Sequence, residues 1–308
     1  MGFGYWTRDS FETYSSSRGR RVTASGELDK NLTDHQIYTQ RQLHPRLNPC
    51  HVMRECCDSK DHPETIPVIL GLDVTGSMGP ASAEVAKKMN LVMTKLYDQI
   101  RDVEFMIMGI GDLAYDRAPI QISQFESDIR IAEQLDLVYM EHGGGSNSFE
   151  SYTAAWYMGV CHTRLDCWRR GKKGLIITMG DENLNPYLPK DPLNAATGDH
   201  VQADVETPQL YREAAQKYEI YHIFVRHRKQ DPFWPSAQNT FEQVLAPQHM
   251  MAASVDEIAD TLVKIITDFA CKDSAAPDRI SWDTGKASSG STPGGHREKA
   301  GFDRLISW

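Results

Sequence analysis

Long uninterrupted apolar runs alternate along this chain with segments whose apolar residues recur every three or four positions. Ile66–Asp73 (IPVILGLD) is apolar throughout until it ends in a carboxylate, the pattern of a parallel strand covered on both faces. Gly79 and Pro80 follow, and proline is favoured in the first turn of a helix. Val85, Met89, Val92, Leu96 and Ile100 then recur at helical spacing, giving that helix one apolar face. Further strands are predicted over 103–111, 174–180 and 219–225. Asn147-Ser148-Phe149-Glu150 reads as a capping box opening a helix with Phe149, Tyr152, Trp156 and Val160 on one side. Thr207–Pro208 starts another helix, and Ser254 with Glu257 caps one that carries Ile258, Leu262, Ile265 and Phe269. Strands alternating with helices predict an α/β fold: an open, mostly parallel, doubly wound (Rossmann-like) sheet with helices on both faces. No repeat of solenoid period is present.

The flanks differ from this core. Residues 1–63 form a polar N-terminal extension, in which 1–45 read as a poorly ordered arm with one short helix near Asp34–Gln42. The domain proper spans 64–271, and 272–308 read as a flexible tail containing SSGSTPGG. The tail closes on GFDRLISW, whose Phe302, Leu305, Ile306 and Trp308 suit either a docking peptide or a segment folded back on its own domain. The net charge of −9 argues against a non-specific nucleic-acid binder. No apolar run approaches a membrane span, and the N-terminus lacks the apolar core of a secretory signal. Six cysteines in 308 residues are too sparse for a disulfide scaffold, so reduced thiols and a cytoplasmic address are expected.

In a doubly wound sheet, ligands bind beyond the carboxyl ends of the strands, at the point where strand order reverses. Three loops fall where such a sheet would bring them together: Asp73-Val74-Thr75-Gly76-Ser77-Met78-Gly79, Gly143-Gly144-Gly145-Ser146-Asn147 and Gly180-Asp181-Glu182. Their carboxylates and hydroxyls suit Mg²⁺, with Mn²⁺ as a substitute, because that hard ion takes six oxygens and commonly retains water. Calcium usually asks for more oxygens, and zinc for His or Cys, neither of which lies in these loops.

These motifs resemble the metal-ion-dependent adhesion site of von Willebrand factor type A (vWA) domains. DVTGSMG is similar to that family's Asp-x-Ser/Thr-x-Ser signature, GGGSN to its Gly-Gly-Thr-Asn loop, and Gly-Asp-Glu to the segment carrying its last Asp. The resemblance covers roughly 64–271 and implies Asp73, Thr75, Ser77, Ser146 and Asp181 as the metal set. Two positions depart from the pattern: Ser146 stands where the family has Thr, and Met179 holds the usual place of the last Asp, with Asp181 two residues later. The resemblance further implies a non-enzymatic adaptor that captures a partner's carboxylate. It also implies work beside an AAA-type ATPase or within a multiprotein complex; the charge and the lack of a long apolar run leave no role for nucleic acid or membrane.

A rival reading uses the same first loop. Haloacid-dehalogenase-like, Mg-dependent phosphohydrolases also place an Asp at the end of a buried strand with Thr two residues on, which would make Asp73 a nucleophile. That chemistry wants a further acidic metal ligand, whereas the position four beyond Asp181 is Asn185. The Gly run 143–145 has no following Lys and is no phosphate loop. Glu150 is accounted for by its cap, and Asp112 and Asp116 read as solvated carboxylates on the rim. Cys50, His51, Cys56, Cys57 and His62 form a candidate zinc cluster set against free thiols at the sheet edge. The basic run Arg169–Lys173 reads as a solvated turn. The stretch 183–206 reads either as a loop overhanging the metal face or as an insertion without a role.

Overall fold

The computed structural model describes residues 4–141, 147–227 and 234–274. Six strands form the central sheet: β1 (Ile66–Asp73), β2 (Val103–Ile110), β3 (Ile120–Ile122), β4 (Gly174–Gly180), β5 (Tyr218–Arg226) and β6 (Met250–Ser254). Their spatial order is β6-β5-β4-β1-β2-β3, parallel throughout except for the edge strand β3, which runs antiparallel to β2. This is the expected mixed α/β architecture, and strand order reverses between β1 and β4.

Each central strand is buried on both faces, and its side chains divide by the two-residue period of a strand. Val68, Leu70 and Leu72 of β1, with Leu175, Ile177 and Met179 of β4, pack into one core layer. Ile69 and Ile176 point the other way into a second layer. The first layer is closed by helices α1 (Gly79–Tyr97) and α4 (Ile258–Ser274); the second by α2 (Thr153–Cys161) and α3 (Thr207–Lys217). The Ser254–Glu257 capping box is present as expected.

Three expectations need correction. The arm read as poorly ordered is folded: Arg8–Ser17 is a helix capped by Thr7, and Trp6, Phe11, Leu28, Ile37, Tyr38 and Leu47 are buried in the α1 layer. Polar links hold it there. Trp6 Nε1 donates to Asn90 Oδ1 at 2.9 Å, Arg20 pairs with buried Asp136 at 2.6 Å, and Tyr14 donates to the other Asp136 oxygen. The segment's apolar residues are irregularly spaced because they pack onto the domain's own core rather than along one face of a regular element, so no periodicity marks them.

The second correction concerns 147–150. The helix starts only at Thr153, and Phe149–Glu150 instead pairs in parallel with Asn183–Leu184 as a short strand. Phe149 therefore lies outside the helix and is exposed, while Tyr152, Trp156 and Val160 are buried. The third concerns 183–206, which is not a bare loop. It holds a helix, Lys190–Thr197, and an antiparallel pairing of Tyr187–Leu188 with Val205–Glu206, anchored by buried Leu188 and Leu193.

The candidate zinc residues are dispersed. Cys56 is buried, His62 Nε2 lies 2.8 Å from the Gly4 carbonyl, and the His51 ring packs against Gly198. Among the described residues, no three His, Cys, Asp or Glu side chains gather as a metal-holding group, and no helix is long and apolar enough to cross a membrane. The tail beyond 274 lies outside the described residues.

Candidate metal site

The switch point places the ends of β1 and β4 side by side, with Leu72 opposite Met179 in register. Asp73 is the last residue of β1 and is fully buried. Its Oδ1 accepts from the Thr75 backbone N at 2.9 Å and from the Thr75 hydroxyl, and its backbone carbonyl accepts from Ser82 Oγ at 3.2 Å. The chain then makes a single 3₁₀ turn, Gly76–Met78, before α1. That turn leaves Ser77 exposed, and its Oγ donates to Asp181 Oδ1 at 3.1 Å. His227 Nε2 lies 3.2 Å from the other Asp181 oxygen. Four residues singled out in the sequence, Asp73, Thr75, Ser77 and Asp181, therefore meet at one sheet edge. The fifth, Ser146, lies outside the described residues.

Two further residues complete the site, and neither was identified as functional from the sequence. Tyr152 is fully buried, donates its hydroxyl to Asp73 Oδ2 at 2.8 Å and accepts from the Glu182 backbone N at 3.3 Å. One phenol thus links the first and third loops. The hydroxyl sits against Cα of Gly180, where a Cβ would collide with it, which explains the glycine before Asp181. The second residue is Glu150. It is buried, its Oε2 has no hydrogen-bond partner among the described residues, and it does not cap a helix.

The electrostatics of this edge are one-sided. Burial pushes the Asp73 carboxyl up to about 7 against the hydrogen bonds from Thr75, with the Asp181 charge adding to the rise. Glu150 is raised well above the carboxylate range by burial and then by the charges of Asp73, Asp116 and Asp112. Burial likewise lifts Asp116 to about 6. The charges these groups feel most strongly are mainly negative, and a buried anion without a compensating cation is costly.

The donor set fits a hard divalent ion on this chemistry. Thr75 and Ser77 give their protons to Asp73 and Asp181, which leaves their oxygen lone pairs available to a cation. Bound magnesium would supply the missing positive charge and a coordination position for an outside ligand. Asp73, Thr75, Ser77 and Asp181 would hold it, with Tyr152 orienting Asp73. Outer groups of this kind typically affect metal affinity by about 10–100-fold. Tyr152→Phe is accordingly expected to weaken Mg²⁺ binding by about tenfold while leaving the fold intact. Calorimetric titration against the wild type checks this.

No protein-family model matches the chain, and no curated protein matches it. Among solved structures, it is similar to the pilus adhesin SpaC from Lactobacillus rhamnosus GG in its open conformation. The identity is 12% and the TM-score 0.45, covering 71% of this chain and 31% of the adhesin. It is also similar to proximal thread matrix protein 1 from the mussel byssus (14% identity, TM-score 0.42, 70% of this chain and 49% of that one). A third similarity is to the vWF domain of the type V pili tip protein Mfa5 from Porphyromonas gingivalis, at 12% identity and TM-score 0.41. It covers 68% of this chain and 96% of that domain. The chain thus spans about a third of the pilus adhesin's length. The class established by strand order and layering is a doubly wound α/β domain.

Proposed function

We propose that this chain is a vWA-type, magnesium-dependent binding module that captures an acidic group of a protein partner and carries out no chemistry of its own. The observation that carries the reading is the Ser77–Asp181 contact beside the Asp73–Thr75 pair. Loops more than a hundred residues apart in sequence present two carboxylates and two hydroxyls at the strand-order switch. An ion held by neutral hydroxyls and two carboxylates keeps part of its charge uncompensated, so a partner carboxylate is the natural ligand for its open position. Metal and partner would then each raise the other's affinity, because their coupling is reciprocal. The sparse cysteines, six in 308 residues, support a reducing, cytoplasmic setting, where an AAA-type ATPase or another multiprotein assembly would be the partner.

The phosphohydrolase reading asks Asp73 to attack phosphorus. It also wants a further acidic metal ligand, and Asn185, four residues beyond Asp181, is a buried amide whose Oδ1 accepts from the Thr153 backbone N at 3.2 Å. Affinity capture from cell extract is the test, comparing wild type with Asp73→Ala, each in Mg²⁺ and in EDTA. The module predicts partners retained only by wild type in Mg²⁺. Partners retained equally in EDTA, or turnover of a phosphomonoester that Asp73→Asn abolishes, would overturn it.

A further inference from the structure

Beside the proposed metal site runs a groove of roughly 200 Å³. Ala114, Phe149, Pro186, Tyr187 and Pro189 give it apolar and aromatic walls, and Asp112 is the carboxylate among its lining residues. Phe149 and Tyr187 are 37% and 42% exposed, and Tyr115, on the turn that carries Ala114, is 56% exposed. Only two other large apolar side chains among the described residues are comparably exposed, so the exposed aromatic surface is concentrated at this face. Clustered exposed aromatics next to a polar site mark a contact surface more often than scattered ones do.

The charge of the groove specifies its occupant. Asp112 is 5% exposed; its Oδ1 accepts from the Ala114 backbone N at 2.8 Å, while its Oδ2 meets no partner among the described residues. Glu150 and Asp116 stand close enough to Asp112 to interact electrostatically. No lysine or arginine lines the groove among the described residues. A buried carboxylate with an unpartnered oxygen, lining the same groove as two exposed aromatic rings, is complementary to a cationic side chain, which is attracted both to ring faces and to acids.

We propose that this groove receives a lysine or arginine side chain of the partner, a few residues from the acidic group captured at the metal. The spacing follows from the sheet. Asp73 is opposite Ile110 in register, and Asp112 leaves β2 two residues later. One strand spacing across the sheet and two residues along it therefore set Asp73 and Asp112 roughly 8 Å apart along the backbone, within the reach of one extended segment. The recognised feature is a closely spaced acidic and basic pair, and a purely acidic peptide fills half of it. This inference rests on the reading of the face as a docking surface, but the cation subsite does not itself require the metal.

N-acetyl-arginine amide is the probe, with N-acetyl-norleucine amide as its neutral counterpart. Both are titrated into the full chain in EDTA and followed by NMR at Ala114, Phe149 and Tyr187. The arginine probe is expected to give saturable shifts at these residues, and its affinity should fall at least fivefold in Asp112→Asn and in the surface variant Tyr187→Ala. An equal response to the norleucine probe would show an apolar groove without charge selection and overturn the proposal. So would an arginine response unchanged in Tyr187→Ala. Adding Mg²⁺ to the same samples and reading Ser77 and Asp181 tests the metal separately, so failure of one reading is distinguishable from failure of the other.

Discussion

Gly180→Ala is expected to destabilise the protein by about 3 kcal/mol or more and to weaken Mg²⁺ binding by at least the ~10-fold expected of Tyr152→Phe. Overfilling a packed interior commonly costs about 1–3 kcal/mol, and this position has little means of relaxing. The added Cβ would meet the Tyr152 hydroxyl. The Tyr152 ring is fully buried against His222 and Phe241 and cannot swing aside. Moving the phenol releases Asp73 Oδ2 and the Glu182 amide at once, so the first and third loops lose their link. Urea unfolding with and without Mg²⁺ reads both effects. A variant as stable as wild type that still gains stability from Mg²⁺ would show that Tyr152 does not organise this edge.

Asp73→Asn is expected to act in opposite directions on stability and binding. The folded protein holds the Asp73 proton up to about pH 7, whereas the unfolded chain releases it near the ordinary carboxylate value of 3.8. The folded state therefore binds more protons between those limits, and its stability falls as pH rises through that window. Glu150, raised for the same reason, extends the loss to higher pH. Without metal, wild type should be less stable at pH 8 than at pH 5. Asp73→Asn should recover on the order of 2–4 kcal/mol of that difference. In Mg²⁺ the ranking should reverse, because the ion binds the ionised carboxylate and only wild type gains from it. Urea midpoints at the two pH values, with and without Mg²⁺, give the comparison. An Asn variant less stable than wild type at pH 8 in EDTA would mean that Asp73 is compensated by something other than a cation.

The sequence made the frame of this molecule legible because the frame is periodic. IPVILGLD reads as a doubly covered strand because every residue from Pro67 to Asp73 is buried, and Gly79–Pro80 and Ser254–Glu257 marked helix starts that the chain uses. What was hidden depends on contacts between distant segments. Trp6 and Phe11 follow no period, since the recess they fill is built by α1 and its neighbours. Glu150 sits where a helix cap would place it, but pairing of 149–150 with 183–184 drew that segment out as a strand. The carboxyl was thereby buried beside Asp73. Tyr152 looked like one more apolar-face residue, and only the closeness of Gly180 reveals its hydroxyl as a tie between loops. Asp73, Thr75, Ser77 and Asp181 were legible because each stands at or just beyond a strand end, where the fold class already places its ligands.

The most direct measurement is calorimetric titration of Mg²⁺ into the metal-free protein at pH 8, beside Asp73→Asn and Asp181→Ala. The account predicts one saturable site in wild type and none in either variant, each variant remaining folded by circular dichroism. Absence of binding in wild type, or binding that survives both substitutions, would contradict it.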